Sequence, residues 1–239
     1  KDWSEMDKTE LFNRIKGKLI ISCQALPGEP LYDPERSLMP YMARAAREAG
    51  SPMIRANTVR DVLGIKRETG LPVIGLIKRV YEGFDGYITP TMGEVDALAE
   101  AGADIIAIDC TDRRRGDGLS PWEYIQSIKE KYPDQILMAD ISDYQEGLKA
   151  WKSGIDLVST TMSGYTDYTP KLEGPDFELV RRLASELPIP VIGEGRVHTP
   201  DEAVKMLDMG AWAVIVGGAI TRPLEIAGRF MKAVNGRRG

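Results

Sequence analysis

The stretch AGADIIAIDCT, residues 101–111, decides the fold class. Gly102 follows an amphipathic helical pattern over residues 92–101, and glycine readily ends a helix because it adopts the left-handed conformation. The apolar run after it shows no polar–apolar alternation, which is typical of a strand buried on both faces of a parallel sheet. Related junctions recur as SGID at Gly154 and MGAW at Gly210. This pattern predicts repeated βα units and argues against a hairpin-rich fold.

Eight apolar, β-branched runs of this kind occur along the chain. They cover residues 18–24, 53–57, 72–78, 103–111, 136–142, 156–161, 190–195 and 213–220. Amphipathic helical patterns lie between them, among them residues 38–49, 92–101, 124–132, 144–153, 177–187 and 200–209. Eight strands that alternate with helices predict an α/β protein of the (β/α)8 TIM barrel class. No GxGxxG follows the first strand, which disfavours the alternative of a doubly wound open sheet.

The chain shows no change of composition and no linker that would divide it. We therefore expect a single barrel domain over residues 1–239, with residues 1–16 as a helical N-terminal extension. The helix of this extension is predicted over residues 4–15 and should cover the bottom or the side of the barrel. A length of 239 residues suits one barrel of ordinary size.

Composition excludes several classes of function. The formal net charge of −5, from 31 basic and 36 acidic residues, disfavours a nucleic-acid partner. No run approaches the roughly 18–20 apolar residues of a membrane span, and no secretory apolar region is evident, so we expect a cytoplasmic protein without a membrane partner. Cys23 and Cys110 cannot form a disulfide framework and should be small core residues. One histidine, His198, excludes a multi-histidine metal site, so no metal is expected.

Polar residues stand where the predicted strands end. In a (β/α)8 barrel these positions point into one cavity at the carboxyl-terminal rim, where the chemistry takes place. Buried polar groups without partners are costly, so a whole ring of them indicates a ligand site. The ring is formed by Gln24, Arg55, Lys78, Asp109, Asp140, Thr160 and Glu194.

Lys78 and Glu194 are the candidate catalytic pair. Lys78 ends the otherwise apolar strand VIGLIK, where burial together with Arg55 and Arg79 should lower its pKa toward that of a base or a Schiff-base amine. The alternative for Glu194 is a structural salt bridge to Arg55 or Arg196.

Two aspartates in the ring allow two interpretations. Asp109 and Asp140 could hold sugar hydroxyls or orient Lys78, and either could equally be an ion-pair partner behind the site.

The loops after the last two strands, GEGRVHTP (residues 193–200) and VGGAITRP (residues 216–223), indicate a phosphate site. Barrels bind phosphate through backbone N–H groups of these two loops and a helix N-terminus. The predicted phosphate-binding residues are Gly195, Gly217, Gly218 and Arg222. His198 and the run Arg113–Arg115 are expected to face solvent, although that run could also gate the substrate.

Eight motifs, in order along residues 17–233, closely resemble the bacterial N-acetylmannosamine-6-phosphate 2-epimerases. They are CQA (23–25), IRA (54–56), IGLIKR (74–79), YITPT (87–91), ADIS (139–142), STTMSGYT (159–166), EGR (194–196) and GGAITRP (217–223). The chain departs from the family pattern in two places. His198 stands where an asparagine is expected, and the N-terminal helix is longer than in many relatives.

The resemblance implies a cytoplasmic (β/α)8 isomerase that is often dimeric and needs no cofactor. It implies conversion of N-acetylmannosamine 6-phosphate to N-acetylglucosamine 6-phosphate by proton removal and return at C2, in sialic acid and amino sugar catabolism. By motif, Lys78 is the base and Glu194 its acidic partner, and the GGAITR segment with Arg222 binds phosphate. The residues expected to bind the rest of the substrate are Gln24, Arg55, Asp140 and, at the end of the sixth strand, Thr160.

Two other functions are compatible with the same residues. One is a Schiff-base phosphosugar aldolase that uses Lys78, and the other is a phosphosugar-binding barrel without catalysis. For the epimerase itself, the sequence leaves open whether one base or two perform the proton transfer.

Overall fold

The strands form a closed barrel of eight parallel strands in chain order, which confirms the predicted fold class. The computed structural model describes residues 7–237. The strands are β1 (Leu19–Cys23), β2 (Ile54–Asn57), β3 (Val73–Leu76), β4 (Ile105–Asp109), β5 (Ile136–Asp140), β6 (Leu157–Ser159), β7 (Val191–Glu194) and β8 (Ala213–Val216). Pairing of Ile21 in β1 with Val216 in β8 closes the ring.

Helices alternate with the strands. They are α1 (Lys8–Ile15), α2 (Met39–Glu48), α3 (Val59–Thr69), α4 (Met92–Glu100), α5 (Pro121–Lys131), α6 (Tyr144–Lys152), α7 (Phe177–Glu186), α8 (Pro200–Asp208) and α9 (Pro223–Asn235). Helix α3 was not among the helical patterns singled out from sequence. Its Gly64 lies against Pro40 of α2, where an added Cβ would come 3.0 Å from the proline ring. Within residues 7–237, no helix has both the length and the apolar character needed to cross a bilayer.

The core has two layers because successive side chains of a strand point to opposite faces. In β4, Ile105 and Ala107 belong to the cluster inside the barrel, whereas Ile106 and Ile108 pack outward against the helices. All four are fully buried. Burial of one such isoleucine side chain contributes roughly 1.5–3 kcal/mol, so both layers hold the strand ends in place around the rim.

Local capping fixes where the helices begin and end. Helices α5, α6 and α8 each begin with a capping box, in which the N-cap side chain and a glutamate three residues later satisfy free backbone N–H groups. The glycines predicted to end helices all have positive φ: Gly50, Gly70, Gly102, Gly154 and Gly210. The junctions read from sequence therefore have the expected geometry.

Helix α1 lies across the bottom of the barrel. Leu11, Phe12 and Ile15 are buried in the inner cluster, and the Trp212 indole N–H donates to the carbonyl of Phe12 at 2.8 Å. The prediction began this helix at residue 4. Residues 4–6 of that range lie outside the described residues, and the described helix begins at Lys8.

Seven of the eight strands end one to four residues before the predicted runs do, and in β3 and β6 this changes the positions of rim residues. Strand β3 ends at Leu76, so Lys78 lies beyond it, where it forms an isolated bridge with Ile88. The Lys78 N–H donates to Asn57 Oδ1 at 2.9 Å. Strand β6 ends at Ser159, and the chain turns at once into a 3-10 turn over Thr160–Met162. This turn moves Thr160 away from the position it would have in a longer strand.

Candidate active site

The carboxyl ends of the strands surround a cavity of about 300 Å³. Eight of the ten residues predicted to form the site line it: Gln24, Arg55, Lys78, Glu194, Gly195, Gly217, Gly218 and Arg222. The other two, Asp140 and Thr160, are not among the lining residues. Both are fully buried, so the structure places them behind the cavity wall.

Arg55 of β2 lies at the centre of the site. Its guanidinium donates to both carboxylate oxygens of Asp140, at 3.1 and 2.5 Å, and lies 3.2 Å from Glu194 Oε2. Burial disfavours the charge of Arg55, but Asp140 and Glu194 more than compensate and keep its pKa above the ordinary value. Asp140 therefore acts as the ion-pair partner that orients Arg55, which was the second of the two interpretations offered by the sequence.

Glu194 ends β7 and is held from β6. The Thr160 hydroxyl donates to the Glu194 carbonyl at 2.8 Å and accepts from the Glu194 N–H at 3.1 Å, so Thr160 fixes the backbone of Glu194 and does not face the cavity. Burial raises the pKa of the Glu194 carboxyl, although Arg55 opposes the rise. Burial thus favours the protonated form of this carboxyl.

Thr161 lines the cavity, although it was not among the site residues predicted from sequence. Its hydroxyl lies 2.9 Å from both Asp140 Oδ1 and Glu194 Oε2. One hydroxyl has a single proton to donate, so Thr161 can donate to only one of these two oxygens at a time. Its bond to Glu194 lowers the pKa of that carboxyl, against the larger effect of burial. The signal that could have found it is the STT sequence at the end of β6, where the early end of the strand brings Thr161 into the cavity.

Lys78 faces the same cavity from the loop after β3. Burial is the main cause that lowers its pKa to about 8, and the charges of Arg55 and Arg222 act in the same direction. The sequence analysis assigned part of this effect to Arg79, and that was wrong. Arg79 is 58% exposed and pairs with Glu94, so it points away from the site.

Two buried polar atoms indicate where a ligand binds. Among residues 7–237, the only buried side-chain nitrogen and oxygen atoms without a hydrogen-bond partner are Gln24 Oε1 and Arg55 Nε. Both side chains line the cavity. An unpaired buried polar atom costs roughly 1–3 kcal/mol, so an acceptor-and-donor pair of this kind is typical of a site completed by a polar ligand.

The predicted phosphate residues converge on one side of the cavity. Gly195 has φ of +110°, a conformation that favours glycine, and it is followed by Arg196 at +54°. Arg222 is the N-cap residue of α9, beside Gly217 and Gly218. Backbone N–H groups, a helix N-terminus and a guanidinium together form the kind of surface that binds a phosphate dianion.

The wall of the cavity also contains side chains that were not predicted. Tyr87, Ile88, Met162 and Tyr165 line it, and the Tyr87 hydroxyl contacts Met162 Sδ at 3.8 Å. These residues come from the loops after β3 and β6, whose positions around the cavity depend on the closed barrel. They add apolar and aromatic groups to the cavity, and the Tyr165 ring lies 5.2 Å from the guanidinium of Arg196 in the loop after β7.

Asp109 and the run Arg113–Arg115 form ion pairs and do not line the cavity. Asp109 pairs with Arg113 at 2.7 Å, which supports its interpretation as an ion-pair partner. The expectation that Arg113–Arg115 faces solvent was wrong for two of the three residues, because Arg113 is 16% and Arg115 only 6% exposed. Their pairing with Asp109 and Asp117 explains the burial.

His198 is exposed at the edge of the cavity, and Cys23 and Cys110 are buried free thiols, as predicted. In the part of the chain that the structure describes, no group of three or more His, Cys, Asp or Glu side chains is arranged to hold a metal ion.

Comparison with known proteins assigns the family. Residues 39–236 match the NanE family model, described as "Putative N-acetylmannosamine-6-phosphate epimerase". Two relatives carry the name "Putative N-acetylmannosamine-6-phosphate 2-epimerase". The protein of Caldanaerobacter subterraneus subsp. tengcongensis is 55% identical, covering 96% of each chain. That of Clostridioides difficile is 51% identical, covering 94% of this chain and 99% of the relative.

Solved structures agree. The N-acetylmannosamine-6-phosphate 2-epimerase from Clostridium perfringens superposes with a TM-score of 0.89 at 45% identity, covering 96% of this chain and 98% of the other. A thiamine phosphate pyrophosphorylase from Pyrococcus furiosus, with a TM-score of 0.59 and 19% identity, shares the fold alone. The family match and these identities over nearly the whole length establish that the chain belongs to the NanE family of N-acetylmannosamine-6-phosphate epimerases.

Proposed function

We propose that this protein interconverts N-acetylmannosamine 6-phosphate and N-acetylglucosamine 6-phosphate by moving a proton at C2. The observation that carries the proposal is the shared cavity of Lys78 and Glu194, with the phosphate-type loops on one side of it. Membership of the epimerase family supplies the substrate class.

The reaction needs a base and an acid on the two faces of one carbon. In the open-chain sugar, C2 bears a hydrogen next to the C1 aldehyde, and loss of that proton gives an enolate. We assign proton removal in one direction to the neutral Lys78 amine and proton return to the Glu194 carboxyl. In the reverse direction the roles exchange, so the pair carries one proton in total.

The surrounding residues bind and orient the sugar. Arg55 Nε, which lacks a protein partner, would donate to a substrate oxygen, and Gln24 Oε1 would accept from a hydroxyl. Asp140 and Thr160 hold Arg55 and Glu194 in position from behind the cavity wall. Thr161 holds Glu194 from within the cavity, beside the bound sugar. Positioning of this kind is what makes proton transfer efficient, because the reacting groups are already oriented.

Binding of the phosphate group determines how the substrate is oriented in the cavity. We assign the 6-phosphate to the N–H groups of Gly195, Gly217 and Gly218 and to the guanidinium of Arg222, and these residues lie on one side of the cavity that Lys78 and Glu194 share. The site as proposed needs neither a metal nor an organic cofactor, and the reaction belongs to amino sugar catabolism in the cytoplasm.

A single-base route is the alternative mechanism, with Lys78 serving both faces. The raised pKa of the Glu194 carboxyl, which burial causes, supports the two-base route because it favours the protonated form of this group.

The decisive experiment is a coupled assay that detects N-acetylglucosamine 6-phosphate formed from its manno epimer by the purified protein. Turnover is expected without added cofactor and after treatment with EDTA. Binding of the phosphosugar without turnover would instead support a non-catalytic barrel. Trapping of a covalent adduct by borohydride would support a Schiff-base aldolase.

We also propose that the protein forms a homodimer through α9. None of the helix's residues is buried, and its apolar side chains are largely exposed: Leu224 (64%), Phe230 (72%), Met231 (60%) and Val234 (65%). Val204 of α8 and Tyr41 of α2, on the helices next to α9 in the barrel order, are also 57% and 60% exposed. Exposed apolar surface of this extent is typical of a protein interface, and a second copy would cover it.

A further inference from the structure

One acidic residue lies where the phosphate group is proposed to bind. Glu225 is the third residue of α9, lines the cavity and is 43% exposed. Its carboxylate lies so close to Gly218 that a methyl group built on this glycine would overlap it. The same carboxylate accepts from Arg222 at 3.0 Å. Glu225 therefore contacts two of the residues assigned to the phosphate.

The place it occupies favours an anion for two reasons. The free N–H groups at the start of α9 and the guanidinium of Arg222 both attract negative charge. Arg222 also lies 3.4 Å from Glu29, so in the ligand-free protein its charge is shared between two carboxylates. Glu29 differs from Glu225, because it does not line the cavity and it accepts the N–H of Leu26.

A phosphate dianion and the Glu225 carboxylate cannot both hold this position, since two oxyanions a few ångströms apart repel strongly. The side chain has room to leave, because it is partly exposed on the first turn of a helix that buries none of its residues. Rotation of Glu225 toward solvent would free the Gly218 loop and Arg222 together.

From these contacts we propose that Glu225 is a built-in competitor for the phosphate subsite: its carboxylate occupies the anion position in the free protein and is displaced when the phosphate group binds. The proposal rests on the function proposed above for its choice of ligand. Glu225 then helps to determine the affinity for the phosphate group, because every incoming anion must displace its carboxylate. The alternative role is that of a positioning residue that holds Arg222 ready for the phosphate, and the two roles predict opposite effects.

Binding of inorganic phosphate to the intact protein, measured by isothermal titration calorimetry, separates them. Glu225→Gln keeps the size and removes the charge, and Glu225→Ala removes both. We expect phosphate to bind about three- to tenfold more tightly to both variants than to the wild type, with a smaller gain at high salt. The KM for the phosphosugar should fall by a similar factor.

Glu29→Gln is the matched control, because it removes the other carboxylate beside Arg222 and Glu29 does not line the cavity. It should change phosphate affinity much less than either Glu225 variant. Weaker or unchanged phosphate binding in both Glu225 variants would overturn the proposal. An equal gain in affinity in Glu29→Gln would also overturn it, since loss of any negative charge near Arg222 would then explain the gain. Phosphate binding that is undetectable in all the proteins would also overturn it.

Failure of this proposal and failure of the proposed function give different results. Tighter phosphate binding in the variants of a protein that fails to turn over the phosphosugar would uphold the competitor and refute the epimerase. Turnover by the wild type with no gain in the variants would do the reverse.

Discussion

Lys78 and Glu194 reach the same cavity from opposite sides of the barrel. Lys78 follows β3 and Glu194 ends β7, and these strands lie four places apart in a closed ring of eight. Each group senses the charge of the other: Glu194 raises the pKa of Lys78 and Lys78 lowers that of Glu194, in both cases against a larger effect of burial. A substrate carbon held between them would present one face to each, which is the arrangement that inversion by two groups requires.

Replacement of Lys78 tests the base directly. In deuterated water the wild-type protein is expected to place solvent deuterium at C2 of the product, and Lys78→Ala should abolish both epimerisation and exchange. Arg79→Ala is the control, because Arg79 is next to Lys78 in the chain but its side chain is 58% exposed and pairs with Glu94. Nuclear magnetic resonance of the product measures the label. Undiminished turnover by Lys78→Ala would refute the assignment.

Replacement of Glu194 tests the second group. Glu194→Gln keeps the size and the contacts to Thr161 but cannot transfer a proton, so kcat should fall by about 10²–10⁴-fold, the contribution of a positioned acid or base. Glu178→Gln, 70% exposed on α7, provides a control for loss of one negative charge. Steady-state kinetics separates kcat from KM. A kcat close to that of the wild type would show that Lys78 works alone.

The pH dependence of kcat/KM distinguishes one base from two. In the two-base reaction the pair must share one proton, so activity should decline as pH rises through about 8, where Lys78 loses its proton. With Lys78 as the only base, the neutral amine is the active form, and activity should instead rise through the same pH and then level off. Burial places this transition near 8 instead of the ordinary 10.5 of a lysine. A transition that remains near 10.5 would contradict the burial of Lys78.

Removal of the guanidinium at the phosphate end should weaken substrate binding. Arg222→Ala is expected to cost about 1.5–3 kcal/mol, the range for a hydrogen bond to a charged group, and it also leaves Glu29 and Glu225 without their partner. This loss of binding free energy should appear as a higher KM for the phosphosugar. Arg182→Ala, on the outer helix α7, is the control. Equal turnover of N-acetylmannosamine with and without its phosphate would contradict the phosphate assignment.

Charge on α9 should separate the subunits of the proposed dimer. Phe230→Asp combined with Val234→Asp places two carboxylates on the exposed apolar face and should yield a monomer, because burying unpaired charge is costly. Light scattering after gel filtration measures the mass. Leu172→Asp, a loop position 40% exposed, should leave the mass unchanged. A wild type that is monomeric at micromolar concentration would refute the dimer.

Much of the site was predictable because a barrel places strand ends in one ring. Residues such as Gln24, Arg55 and Glu194 could be found from the last polar position of an apolar run. That rule fails where the strand ends early. It selected Thr160, whereas the turn after Ser159 brings Thr161 to the cavity. The STT sequence marks this position but does not show which of its two threonines faces the cavity.

Contacts between residues far apart in the chain could not be predicted from the sequence, for a different reason. Asp140 and Arg55 are 85 positions apart, and their pairing shows which of two possible roles the aspartate has. Arg222 lowers the pKa of Lys78 although 144 positions separate them, and Arg79, next in the chain, does not. Adjacent residues of an extended chain point in opposite directions, so sequence proximity predicted the wrong neighbour.

By itself the sequence determined the alternation of strands and helices, the glycines that end the helices and the chemistry available at the rim, because each depends on local conformation and on hydrophobic periodicity. Only the tertiary structure decided which of these groups meet. Closure of the barrel placed Lys78 opposite Glu194, put Asp140 behind Arg55, brought Glu225 onto Gly218 and left α9 without a buried residue. These relationships depend on burial and on distances between strands far apart in the chain, and both exist only once the ring has closed.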